Sequence, residues 1–289
     1  MSAQPEAPAG RPPRGLLALL TAAAFLIFAQ AFMVAPILPR LAELFGTAPG
    51  VTGLKVPAYL VPYGVMTLVW APLSDRVGRR PVILASLGAF TVLTAATALA
   101  HTAGVFIGIR LVTAIGASGV VPIGLALIGD LVTYQRRGRA LGWMFGGIAV
   151  GAAGGALGEP ILGWRGLFLA AAAGGLVLLI TALVVLPGAP LIPRAVTPPP
   201  WKAVARGYRA LLRSARGRRT YGYVLFNAVL HSGVYTWLGV YLHQRFGLEE
   251  FGIGLALLGY GIPGFLLGPV IGRLAHRYGR ARLIPTGVA

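Results

Sequence analysis

The sequence predicts an all-α polytopic membrane protein, and three observations predict it. Hydrophobic residues make up 56% of the 289-residue chain and charged residues only 11%, whereas soluble domains carry roughly a quarter charged. Apolar runs near the roughly 20 residues needed to cross a bilayer recur along the chain. The basic residues behind a formal net charge of +18 sit in short segments between those runs. They do not form a soluble basic domain, which argues against a nucleic-acid-binding protein.

The elements follow in order. Residues 1–14 are polar and Pro-rich, with Arg11 and Arg14 just before the first apolar run. That run is longer than a signal-peptide core and no small-residue cleavage site is evident, so it reads as an uncleaved first span. Spans are expected at about 15–38, 51–70, 82–100, 105–127, 139–157 and 164–186. A Pro- and Arg-rich segment follows, then spans at about 221–242 and 251–271 and a second basic loop, 272–282. The organisation this predicts is a tail (1–14), a six-helix bundle (15–187), a linker (188–219) and an incomplete second bundle (220–289).

Charge sets the expected orientation. With the N-terminus in the cytoplasm, twenty of the 25 Lys and Arg residues fall on the cytoplasmic side. Arg40, Lys55, Arg165 and Arg245 fall outside, and Arg110 lies within the fourth span. That asymmetry follows the positive-inside rule and predicts a multi-pass protein of the plasma (inner) membrane. Trp70, Trp164, Trp201 and Tyr221 near span ends suit interfacial anchors.

The loop between the second and third spans is Ala71-Pro-Leu-Ser-Asp-Arg-Val-Gly-Arg-Arg-Pro81. It must turn tightly at the bilayer surface. Gly78 allows a backbone that a side chain resists, and Pro81 suits the first turn of the next helix. Asp75 stands beside Arg76, Arg79 and Arg80, where an ion pair is expected. Shifting the chain by 201 residues lays Val61-Pro62 on Ile262-Pro263, and Leu73, Arg76, Gly78 and Arg79 on Leu274, Arg277, Gly279 and Arg280. A repeat of that length suits two parallel halves related by an axis along the membrane normal.

The order Leu73, Asp75, Arg76, Gly78, Arg79, Arg80 resembles the signature loop of the major facilitator superfamily, although that motif usually opens with Gly and here the position is Ala71. Asp130 with Arg136 and Arg137 resembles the family's loop between helices 4 and 5, and Gly163-Trp-Arg-Gly-Leu-Phe168 its entry to helix 6. Gly147, Gly151 and Gly155 resemble the antiporter motif of helix 5, with Ala152 where that motif has Pro. Arg110 resembles the helix-4 Arg of proton-coupled exporters, although Thr113 and Ala114 replace the usual Gln-Gly. Where some multidrug exporters carry an Asp on helix 1, this chain has Gln30, which cannot exchange a proton.

The resemblance implies the major facilitator fold: an N-terminal six-helix bundle plus the first two helices of the second bundle. Twelve helices are expected in the family and eight are counted here, which reads as a fragment or a truncated product. It also implies roles. Arg110 is expected in proton coupling, with a structural bond to helix carbonyls as the alternative. Gln30, Phe32, Met33, Asn227, His231 and Tyr235 are expected to line a substrate cavity; the last three share one helix face. Asp75, Arg76, Gly78, Arg79, Arg80, Asp130, Arg137, Arg277, Gly279 and Arg280 are expected in gating loops, and Gly147, Gly151 and Gly155 in close helix packing. Glu159 reads as an exposed surface carboxylate.

Three functions stay open at this point: proton-coupled export of small amphipathic molecules, uptake of a sugar or other metabolite, and an inactive membrane fragment. The expected partners are the lipid bilayer, a small-molecule substrate and protons, with no nucleic acid. No Walker loop, metal-ligand cluster or nucleophile with a base is found, so neither an enzyme nor a cofactor is expected. The chain has no cysteine.

Overall fold

In the computed structural model, the described residues are 15–47, 54–155, 157–186, 200–249 and 251–257, with isolated helical positions up to 274. They form helices α1 (Leu16–Phe32), α2 (Leu38–Phe45), α3 (Pro57–Val77), α4 (Arg79–Thr97), α5 (Ala103–Ala117), α6 (Val120–Leu131), α7 (Tyr134–Gly154), α8 (Glu159–Val185), α9 (Trp201–Arg213) and α10 (Ala215–Phe246). Residues 251–257 begin a further helix. By length and composition, Arg79–Thr97, Ala103–Leu131 and Ile161–Val185 are long and apolar enough to cross a membrane, and α1 is a shorter apolar helix.

Proline chemistry explains where helices differ from the expected spans. The first span ends as a helix at Phe32, then turns through 33–37 into α2, because Pro36 has no N–H to continue the ladder. The fourth span divides at Ser118–Gly119. Pro122 lies four residues after Ser118, so its ring opposes the Ser118 carbonyl of a continuous helix. Trp70 Nε1 (2.9 Å) and the Ser118 hydroxyl (2.9 Å) both donate to the Ile115 carbonyl at this break. Gly78 joins α3 to α4 at φ 99°, ψ 153°, and Gly163 kinks α8 at φ 66°, ψ 168°; side chains disfavour both conformations. The linker contains a helix, α9, that the sequence reading did not anticipate.

Two cores form. One, toward the cytoplasmic side of the proposed topology, joins Leu16, Leu20, Phe90, Val120, Leu127 and Met144. The other joins Phe32, Met33, Tyr59, Phe106, Trp164 and Phe168, and also takes in Tyr235, Ile253 and Leu257 from the helices after the linker. Helix α1 lies along α7, and α4 along α8 and α5.

Candidate functional site

Arg110 on α5 is fully buried, and its geometry follows from helix ends. A helix leaves its last four carbonyls without intrahelical donors. At the end of α1, the Ala29 carbonyl accepts from the Met33 N–H (2.8 Å) and the Phe32 carbonyl from the Ala35 N–H (3.0 Å). Arg110 supplies the other two, donating from Nη1 to the Gln30 carbonyl (3.3 Å) and from Nη2 to the Ala31 carbonyl (2.8 Å). Its Nε donates to the Lys55 carbonyl at the start of α3 (3.1 Å). A guanidinium at a helix C-terminus also opposes the helix dipole. The Tyr59 ring lies 4.8 Å from it and the Phe106 ring 5.9 Å, both within cation–π range. Arg110 thus ties three segments, and no ion pair to it occurs among the described residues.

Lys55 is the second buried cation here. Its ammonium donates to the Leu41 carbonyl (3.4 Å) and lies 4.9 Å from the Phe45 ring. Arg165 donates to the carbonyls of Ala98 (3.0 Å) and Ala100 (3.2 Å) and stacks on Trp164. Glu159, expected to be exposed, is 1% exposed and pairs with Arg40 at 2.6 Å. That expectation fails because Arg40, 119 residues earlier, provides a cation that lets the carboxylate be buried.

The expected cavity residues do not all meet. Gln30 is fully buried, and neither side-chain amide atom has a hydrogen-bond partner among the described residues. Phe32 meets the Tyr235 ring edge-on at 5.1 Å, and Met33 is buried in the same core. The Tyr235 hydroxyl donates to the Ala152 carbonyl of α7, and its ring stacks with His231 at 6.2 Å. Asn227 lies on the exposed part of α10. Tyr63 and Tyr59, which the sequence reading passed over, stack at 6.0 Å, and Phe28 meets Tyr63 at 5.9 Å. An aromatic series therefore runs from Arg110 to His231.

On α7, the glycine stripe lies against the backbone of α1. A Cβ at Gly147 would meet the Thr21 carbonyl oxygen at 2.8 Å, one at Gly151 would strike the Phe25 carbonyl, and one at Gly155 the Ala29 carbonyl. Both helices advance four residues per contact in the same direction, so they run parallel.

At the opposite end, Arg79 pairs with Asp130 at 2.6 Å and with Asp75 at 3.6 Å. One guanidinium thereby joins the α3–α4 loop to the end of α6. Arg80 donates to the Leu183 carbonyl (3.3 Å), Arg137 to the Val132 carbonyl (2.8 Å), and Arg76 stacks on Trp201 at 4.3 Å. Arg277, Gly279 and Arg280 lie outside the described residues. Nearby, a cleft of about 1080 Å³ opens between α1, α6 and α7, walled by Leu20, Leu127, Ile128 and Trp143 among others, with Arg136 and Arg139 in its lining.

Comparison with known proteins is consistent across sequence and structure. The model of the Major Facilitator Superfamily matches residues 20–289. A chloramphenicol resistance protein of Pseudomonas aeruginosa is 35% identical over 141 residues, 47% of this chain and 34% of that protein. The uncharacterized MFS-type transporter YceJ of Bacillus subtilis is 27% identical over 91% of this chain and 67% of that protein. The crystal structure of the human organic anion transporter MFSD10 superposes with a TM-score of 0.73 at 22% identity, covering 93% of this chain and 74% of that one. The chain thus spans about a third of the first of these relatives and about two thirds of the second.

Proposed function

Because the chain belongs to the Major Facilitator Superfamily, we propose that it works as a secondary active transporter, exporting small amphipathic molecules in exchange for protons by alternating access. The observation that carries this reading is the contact of α10 with the first bundle at one end and the cleft at the other. The outer part of α10 packs through Tyr235 and Gly239 against α1, the 33–37 turn and α7. At the opposite end of α1, the cleft beside Arg136 and Arg139 opens between α1, α6 and α7. Alternating access requires such a pair of unequal ends, with the site between them.

The roles follow from chemistry. The cleft walls are apolar and its charged side chains, Arg136 and Arg139, are cationic, which favours an amphipathic substrate over a sugar that needs many hydrogen bonds. Gln30, Phe32, Met33, Asn227, His231 and Tyr235 line the translocation path. Asp75, Arg76, Gly78, Arg79, Arg80, Asp130 and Arg137 gate the cytoplasmic side. Arg110 serves coupling by positioning: it fixes the end of α1, where Gln30 sits, to the start of α3. The protein lies in the plasma membrane with its N-terminus in the cytoplasm. A relative named for chloramphenicol resistance supports the outward direction.

The deciding experiment is uptake into everted vesicles carrying the protein, with labelled chloramphenicol as probe. Accumulation that needs an inward-acidic gradient, and that Arg110→Lys reduces about tenfold or more with unchanged protein level, is expected. Accumulation only in right-side-out vesicles would reverse the direction, and none in either orientation would remove the export reading for this probe.

A further inference from the structure

The roles above leave α9 unused, yet its residues are sorted. Trp201, Val204, Tyr208, Leu211 and Leu212 fall on one stripe, and Lys202, Arg206, Arg209 and Arg213 on another; at 3.6 residues per turn the stripes are roughly 140° apart. None of its side chains is buried.

Its position is specified by α3. Pro72 lies inside that helix and has no N–H to donate to Leu68, four residues back. The Tyr208 hydroxyl supplies the missing donor, at 2.9 Å from the Leu68 carbonyl. Beside this contact Val65, Leu68 and Val69 are exposed apolar residues, so α9 lies where a membrane-facing surface gives way to the charged loop. Trp201 stacks under Arg76 of that loop. A corner at Ser214 turns α9 off the axis of α10: the Ser214 hydroxyl accepts from the Gly217 N–H (3.0 Å), and Arg218 donates to the Arg213 carbonyl (2.6 Å).

We propose that α9 is an interfacial helix that binds anionic phospholipid headgroups through Lys202, Arg206, Arg209 and Arg213, held at the bilayer surface by its contacts with α3. A high-contrast amphipathic helix with a basic polar face lies in the interface plane and is drawn to anionic lipid. The charge continues through Arg216, Arg218 and Arg219 at the start of α10. Leu211 and Leu212, both exposed, supply the apolar contact that a soluble anion does not need. The inference rests on the cytoplasmic placement of the linker proposed above and not on transport.

The test is amide hydrogen exchange of residues 201–213 in the full chain, in nanodiscs of phosphatidylcholine with and without about a third phosphatidylglycerol. Anionic lipid is expected to slow exchange by at least about fivefold, the effect of one basic residue near the surface. High salt, or replacing the four basic residues by Gln, is expected to abolish the difference while leaving exchange in α5 unchanged. Equal rates in the two lipids, or a difference that survives the fourfold replacement, would overturn the proposal. Slowing by soluble glycerol phosphate in phosphatidylcholine would assign a free-phosphate site instead, and slowing by an acidic peptide there would assign a protein partner. If the fourfold variant does not fold, the lipid and salt comparisons on the parent chain still decide.

Discussion

The two ends of the bundle use arginine differently. At the outer end of the proposed topology, Arg110 is buried and its partners are backbone carbonyls and ring faces. At the cytoplasmic end Arg79, Arg80 and Arg76 are partly exposed, and their partners are carboxylates, a carbonyl and one indole. A buried guanidinium on carbonyls repairs helix ends that neither water nor lipid can satisfy, so it fixes structure. A partly exposed guanidinium between carboxylates is weak and reversible, which suits the gating role proposed above for this loop.

The largest expected effect breaks the first of these. Arg110→Ala leaves the Gln30, Ala31 and Lys55 carbonyls without their donor, and each orphaned buried group costs about 1–3 kcal/mol. A loss on the order of 3 kcal/mol or more is expected as a lower melting temperature in detergent, unchanged by salt. A melting temperature equal to that of the parent would mean the carbonyls find other donors. Gly151→Leu comes next. It forces a side chain into the Phe25 carbonyl, and overpacking of about 1–3 kcal/mol is expected from the same measurement; Gly147→Ala, whose Cβ meets the Thr21 carbonyl oxygen at 2.8 Å, should cost less.

These effects also mark what was readable in advance. The all-α fold class was legible because it depends on local apolar length, and the glycine stripe because its spacing is periodic. The α3–α4 loop was legible because its charges are neighbours in sequence. Other features depend on contacts between distant segments. Nothing near Glu159 in sequence announces Arg40, so a carboxylate beside a predicted span reads as solvated. Charge counting places Lys55 and Arg165 outside, and it says nothing about the rings and carbonyls that surround them. Nothing in the sequence around Tyr59 and Tyr63 sets them apart; their role comes from Arg110 and Phe28, which lie on other helices. The periodicity of α9 was in the sequence, but its Pro- and Arg-rich surroundings suggested a linker. Pro72 was a usable signal: a proline inside a helix implies a free carbonyl four residues back, and hence a donor from elsewhere.

Glu159→Gln tests an intermediate case. Glu159 is buried but Arg40 is 45% exposed, so solvent already weakens the pair, and the Gln carbonyl can still accept. About 1 kcal/mol is expected, and a loss as large as that of Arg110→Ala would show that the outer end depends on charge as much as on carbonyl capping.

The smallest effect is at the cytoplasmic end. Asp130→Asn removes the 2.6 Å pair with Arg79, but Arg79 keeps Asp75 at 3.6 Å, so a single substitution loses less than about 1 kcal/mol. The double variant with Asp75→Asn should lose more than the sum of the singles, because each carboxylate covers for the other. Both effects should shrink as salt rises, since the charges are within reach of screening ions. If salt instead leaves the Asp130→Asn loss unchanged, the two ends do not differ in kind, and the cytoplasmic contact is a fixed strut that would have to break some other way for the protein to cycle.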